Sequence, residues 1–112
     1  MSESPSPVAL LVYCSCPPDS ADALATALVH ERLAACVSAM PRVRSTYRWN
    51  GHVEQDEECL LLIKTHPDRL EALVQRAREL HPYELPELVA VEIRGGLDPY
   101  LHWVAEQTRI DD

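Results

Sequence analysis

The 112-residue chain, 46% hydrophobic and 25% charged, has the composition of one ordinary globular domain, and a domain of that length buries roughly two-thirds of the surface its unfolded chain exposes. Its 10 basic against 18 acidic residues give a formal charge of −8, which argues against nucleic acid or an anionic membrane surface as partner and makes cations the natural complement. Residues 1–7 show neither the basic nor the apolar stretch of a leader, so a cytoplasmic protein with reduced thiols is expected.

Those first seven residues, rich in Ser and Pro, read as a disordered segment ahead of a single domain over 8–112. Val8 to Cys14 is a near-continuous apolar run, the pattern of a central strand covered on both faces. Pro17-Pro18-Asp19-Ser20 breaks it with helix-start chemistry. Ala21, Leu24, Ala25 and Leu28 then recur on one stripe of a first helix predicted to end near Leu33. Ala34 to Met40 returns to an extended apolar pattern, Pro41 interrupts it, and alternation resumes from Val43 to Trp49, which predicts one long edge strand bent at the proline. Asn50-Gly51 is a strong hairpin signal, because both central residues of a type I′ turn need φ > 0. A third strand should therefore run from about His52 to Lys64. His66-Pro67-Asp68 opens a second helix carrying Leu70, Leu73, Val74, Ala77 and Leu80 on its apolar stripe, and His81-Pro82 stops it. Leu88 to Ile93 is a fourth strand, and Asp98 to Thr108 has the cap and spacing of a short terminal helix.

This order is the α+β, ferredoxin-like split βαβ plan. Right-handed crossovers impose a four-stranded antiparallel sheet in the order fourth, first, third, second. They also bring the end of the second helix, with His81, beside the end of the first strand, where Cys14 and Cys16 lie.

The segment His81-Pro82-Tyr83-Glu84-Leu85-Pro86-Glu87 holds a histidine between conformational locks, since proline fixes its own φ and biases the preceding residue towards extended backbone. Together with Leu28 to Val37, Ser45-Thr46-Tyr47-Arg48-Trp49-Asn50-Gly51, Lys64-Thr65 and Tyr100-Leu101-His102-Trp103, it resembles the CutA, divalent-cation-tolerance, family over nearly everything from Val8 to about Thr108. The resemblance implies a ferredoxin-like homotrimer linked to copper and other divalent metals. Carried over residue by residue, it implies Cys14 and His81 as metal ligands. Leu80 stands where some members of the family have a second histidine, and Cys16 is an extra thiol. Thiolate and imidazole suit copper or zinc, but one such pair is an incomplete coordination shell. Cys36 and Cys59 fall inside apolar strands and read as small buried hydrophobes.

The hairpin supplies a second constellation. With a two-residue turn Trp49 opposes His52, Tyr47 opposes Glu54, Ser45 opposes Asp56 and Arg44 opposes Glu57. One face is aromatic and acidic, and Arg42, Arg44 and Arg48 dominate the other. A long edge of this kind suits a partner subunit. Two functions remain open: copper or related divalent-metal binding connected to metal tolerance, and a trimeric module resembling the PII signalling architecture. In the second, inter-subunit clefts lined by Tyr47, Trp49, Glu54, His81 and Tyr83 hold a small organic ligand or dock a partner. The sequence has no nucleophile elbow, phosphate loop or H-E-x-x-H pattern, so an enzyme is not expected.

Overall fold

β1 spans Ala9–Cys16 and runs through the middle of the sheet. In the computed structural model, which describes residues 8–110, it is flanked by β3 (His52–Thr65) and β4 (Val89–Ile93), and β2 (Cys36–Trp49) lies outside β3. The resulting order, β2-β3-β1-β4 with all neighbours antiparallel, is the predicted one. The expected disorder of residues 1–7 lies outside the described residues.

Alternation along the strands divides the sheet into two faces. Val12, Cys14 and Cys16 of β1 pair in register with Ile63, Leu61 and Cys59 of β3, and all six are buried on the face covered by α1 (Ala21–His30) and α2 (Leu70–Leu80). Leu24 and Leu28 of α1 and Leu73 and Ala77 of α2 complete that core. α3 (Asp98–Gln107) covers one end of the opposite face, where Val104 and Leu101 pack on Ala9, Ala35 and Ile93. Among the described residues nothing covers the remainder of this second face. Met40, Val89 and Val91 on it are 48%, 53% and 48% exposed.

Two local features depart from the pattern in the chain. α1 ends at His30 rather than near Leu33, because Arg32 adopts φ 59° and the Leu33 amide reaches back to the Leu28 carbonyl at 2.9 Å. This is a Schellman closure, with an arginine where glycine is usual. In β2 the register shifts between Met40 and Val43, so three steps on β2 answer two on β3, from Leu60 to Glu58. Arg42 sits in that bulge at φ 62°. The extra residue returns Val43, Ser45, Tyr47 and Trp49 to the same face as Met40, which carries the aromatic side of the hairpin onto the open face. Asn50 and Gly51 close the hairpin at φ 51° and 81°, as a type I′ turn requires. Trp49 then faces His52 and Tyr47 faces Glu54, as expected.

Candidate functional site

His81 terminates α2 because its backbone turns extended, φ −75° and ψ 137°, ahead of Pro82. That geometry folds its ring back under the sheet end, where it is 6% exposed. Nε2 lies 2.8 Å from the Ser15 carbonyl oxygen, and Nδ1 accepts the Tyr83 backbone N–H at 3.1 Å. An accepting Nδ1 and a carbonyl at Nε2 specify the neutral tautomer with its proton on Nε2. The imidazole ties the end of β1 to the segment after α2 and supports the Tyr83 ring, whose centroid is 4.7 Å away.

Tyr83 carries the connection one step further. Its hydroxyl donates to Glu58 Oε2 at 2.6 Å, joining the 82–87 segment to β3. Glu58 is only 5% exposed, and this bond compensates the burial of its carboxylate. Burial and the adjacent carboxylate push the Tyr83 hydroxyl well above its ordinary value. On the hairpin Tyr47 repeats the arrangement by donating to Asp56 Oδ2.

Between these two tyrosine–carboxylate pairs opens a cleft of about 780 Å3, floored by Ser15 and walled by the hairpin on one side and by residues 82–87 on the other. Tyr47, Trp49 and Tyr83 line it, together with Asp56 and Glu58. Glu54 pairs with Tyr47 across the hairpin but is not part of the lining, and His81 lies beneath Tyr83 rather than in the wall. Glu58 was missed at the sequence level. Its signal was the two-residue period placing Glu54, Asp56 and Glu58 on one face of β3, but which of the three the sheet end would bury depends on the bulge opposite.

Cys14 is at the end of β1 as expected, but its side chain points into the helix-covered core and is 0% exposed. Burial, then the neighbouring Cys16, Glu87 and Glu58, push its thiol from 9.0 up to about 12. Cys16 is pushed up to about 11, first by burial and then by Cys59 and Glu58. The pair Cys14 and His81 does not fit a resident copper ion in this arrangement. The ligating species are a thiolate and a free imidazole lone pair, whereas the thiol is sealed and held protonated and both ring nitrogens of His81 are engaged. Among the described residues no group of three or more His, Cys, Asp and Glu side chains is placed to hold a metal ion. Cys36 also departs from expectation, being half-buried with the Lys64 ammonium 3.9 Å from its sulfur.

The raised thiols give a test in alkali. Thiols that stay neutral in the folded chain and ionise near pH 9 in the unfolded one make the unfolded state lose protons first, so stability should fall as pH rises above 9 towards 12. Denaturation midpoints between pH 8 and 11 should show this slope, and Cys14→Ala should flatten it. An unchanged slope in that variant would show that Cys14 is not its source.

Comparison with known proteins bears on what the cleft is for. The family model described as "CutA1 divalent ion tolerance protein" matches residues 10–107. The chain belongs to the CutA family. It is 42% identical over 97 residues to Protein CutA of Mus musculus, a match covering 86% of this chain and 55% of the mouse protein. It therefore spans little more than half the length of that relative. The crystal structure of CutA from Xylella fastidiosa superposes with a TM-score of 0.88 at 43% identity, covering 90% of this chain and 98% of that one. A structure described as the PII-like protein CutA from Nostoc sp. PCC 7120 in apo form gives 0.85 at 37% identity, covering 89% and 97%. These descriptions name tolerance or likeness to PII. Among the described residues of this chain, no helix is long and apolar enough to cross a membrane.

Proposed function

We propose that this CutA protein is a homotrimeric, PII-like binding module that holds a small ligand in the cleft between its hairpin and residues 82–87, and that any effect on divalent-cation tolerance is exerted through that cleft. The observation that carries the reading is the cleft itself. Its volume of about 780 Å3 falls in the range of small-molecule sites, and its walls come from separate parts of the chain held together by the His81–Ser15 and Tyr83–Glu58 bonds. The Nostoc relative, described as PII-like and as an apo form, supports the reading. The copper site at Cys14 and His81 receives no such support from the geometry.

Assembly as a trimer is supported by what one chain leaves unsatisfied. β2 and β4 are both sheet edges, and among the described residues the second face is covered only at the α3 end. A 14-residue edge such as β2 invites pairing, and exposed apolar side chains grouped on one sheet face mark an interaction surface. Size-exclusion chromatography with light scattering should report about three times the 12.6 kDa chain mass. Shortening the hairpin around Asn50 and Gly51 should weaken the assembly, and a monomer at micromolar concentration would remove the trimer from the proposal. The cleft is tested separately, by whether a metabolite thermal-shift screen yields a ligand whose stabilisation is lost in Trp49→Leu.

A further inference from the structure

We infer that the cleft selects a small organic cation, an amine or quaternary ammonium compound, over an anion or a bare metal ion. The inference rests on the cleft being a ligand site and adds the chemical class it takes. Of its ionisable lining, Asp56, Glu58, Glu84 and Glu87 are acidic side chains and Arg48 is basic, so the cleft is formally anionic. α2 reaches this region with its C-terminal end, capped by His81. That is the negative pole of a helix, the reverse of the amide-rich terminus that cradles phosphate. The sequence has no glycine-rich phosphate loop, and Gly51 is at the hairpin tip. A phosphorylated or polycarboxylate ligand would thus meet four carboxylates, with Arg48 as the one cationic side chain in the lining.

A bare divalent cation fares poorly for a different reason. Magnesium and calcium want about six or more converging oxygens, but Glu58 and Asp56 are already bonded to Tyr83 and Tyr47. Among the described residues the carboxylates do not converge in a metal-holding group. An organic ammonium asks for less. A carboxylate or two and the face of an aromatic ring satisfy it, and its carbon skeleton fills space that a hydrated ion would leave to water. In the single chain Tyr47, Trp49 and Tyr83 are 40%, 41% and 37% exposed, so each ring keeps area that its own chain does not cover. Tyr47 is bonded to Asp56 and Tyr83 to Glu58, so two of the carboxylates lie beside an aromatic ring.

The experiment titrates the full-length protein with choline, spermidine and tryptamine, and in parallel with ATP, citrate and magnesium chloride, by calorimetry and intrinsic tryptophan fluorescence. At least one ammonium probe should bind saturably and more tightly than any of the other three. Its affinity should weaken as salt is raised, and fall about tenfold or more in Glu58→Gln and in Trp49→Leu. Because Glu58 is buried, Glu84→Gln at an exposed lining position gives the same reading of charge without loading the core. If ATP or citrate binds more tightly than every ammonium probe and Trp49→Leu abolishes that binding, the cation class is overturned while the cleft stands as a ligand site. If magnesium wins in the same way, the outcome is the same. If no probe of either charge is sensitive to Trp49→Leu, Glu58→Gln or Glu84→Gln, both the cleft reading and this inference fail.

Discussion

Leu73→Ala is expected to lower the unfolding free energy by about 2–5 kcal/mol. Leu73 lies on the inner stripe of α2, is 0% exposed, and belongs to the cluster formed by Leu24 and Leu28 of α1, Val12 of β1 and Leu61 and Ile63 of β3. Its truncation removes buried methyl groups in a place where the sheet behind is pinned on both sides by ladder bonds, so the gap collapses only in part. Against a total stability of about 5–15 kcal/mol for a domain of this kind, the loss is large. It also acts at a distance, because α2 is the lever that presents His81 and Tyr83. A shift of its axis loosens the cleft wall before the chain unfolds, so ligand affinity should fall along with the denaturation midpoint. Urea unfolding at fixed protein concentration measures the first effect, and titration of the folded variant measures the second. A cost under about 1 kcal/mol would mean that the site repacks freely.

Much of this architecture was legible in the sequence. Asn50-Gly51 set the turn, and a two-residue turn set every pair from Trp49–His52 to Arg44–Glu57, because antiparallel register is rigid once the loop length is known. The alternation of strand and helix patterns, with right-handed crossovers, gave the strand order. What eluded it was what depends on a single backbone residue. An arginine at φ 59° ended α1 early, where nothing in the run of residues up to Leu33 signalled it. The bulge after Met40 cannot be distinguished in the sequence from a simple proline bend, yet it decides which hairpin face continues the open side of the sheet.

The site was legible by address but not by direction. Crossover handedness brought Cys14 and His81 to one end of the sheet, and the structure places them there. It could not say that Cys14 would face the helices while the Ser15 carbonyl faces His81, since that depends on which parity of β1 the helices cover. With Cys14 turned inward, the polar groups facing the cleft at this end include Glu58, Asp56 and the tyrosines that bind them. The aromatic half of the cleft is visible in Tyr47, Trp49 and Tyr83, whereas its buried carboxylate, Glu58, is set by Tyr83 reaching over β3.

His81→Ala should be the most damaging substitution near the cleft, costing about 2–6 kcal/mol at roughly 1–3 kcal/mol for each of the two part-buried polar groups left without a partner. The Ser15 carbonyl loses the ring N–H at 2.8 Å, and the Tyr83 amide loses its acceptor at 3.1 Å. Without that acceptor the Tyr83 backbone is released, and with it the hydroxyl that satisfies Glu58, so ligand binding should weaken further than stability alone explains. Two conservative variants separate the two bonds. His81→Asn can place its side-chain oxygen near the position of Nδ1 and restore the Tyr83 contact. His81→Gln can extend its amide towards the Ser15 carbonyl. Each should recover part of the loss in denaturation experiments, with His81→Asn recovering more of the ligand binding because Tyr83 is the residue that lines the cleft. Copper distinguishes this tether from a ligand role. If His81 acts through its hydrogen bonds, copper stoichiometry measured on the reduced, folded protein should be the same in wild type, His81→Asn, His81→Gln and Cys14→Ser. Loss of bound copper in all three variants, with stability retained in His81→Asn, would instead make the imidazole and the thiol a metal site that opens on binding, at the expense of the Ser15 bond.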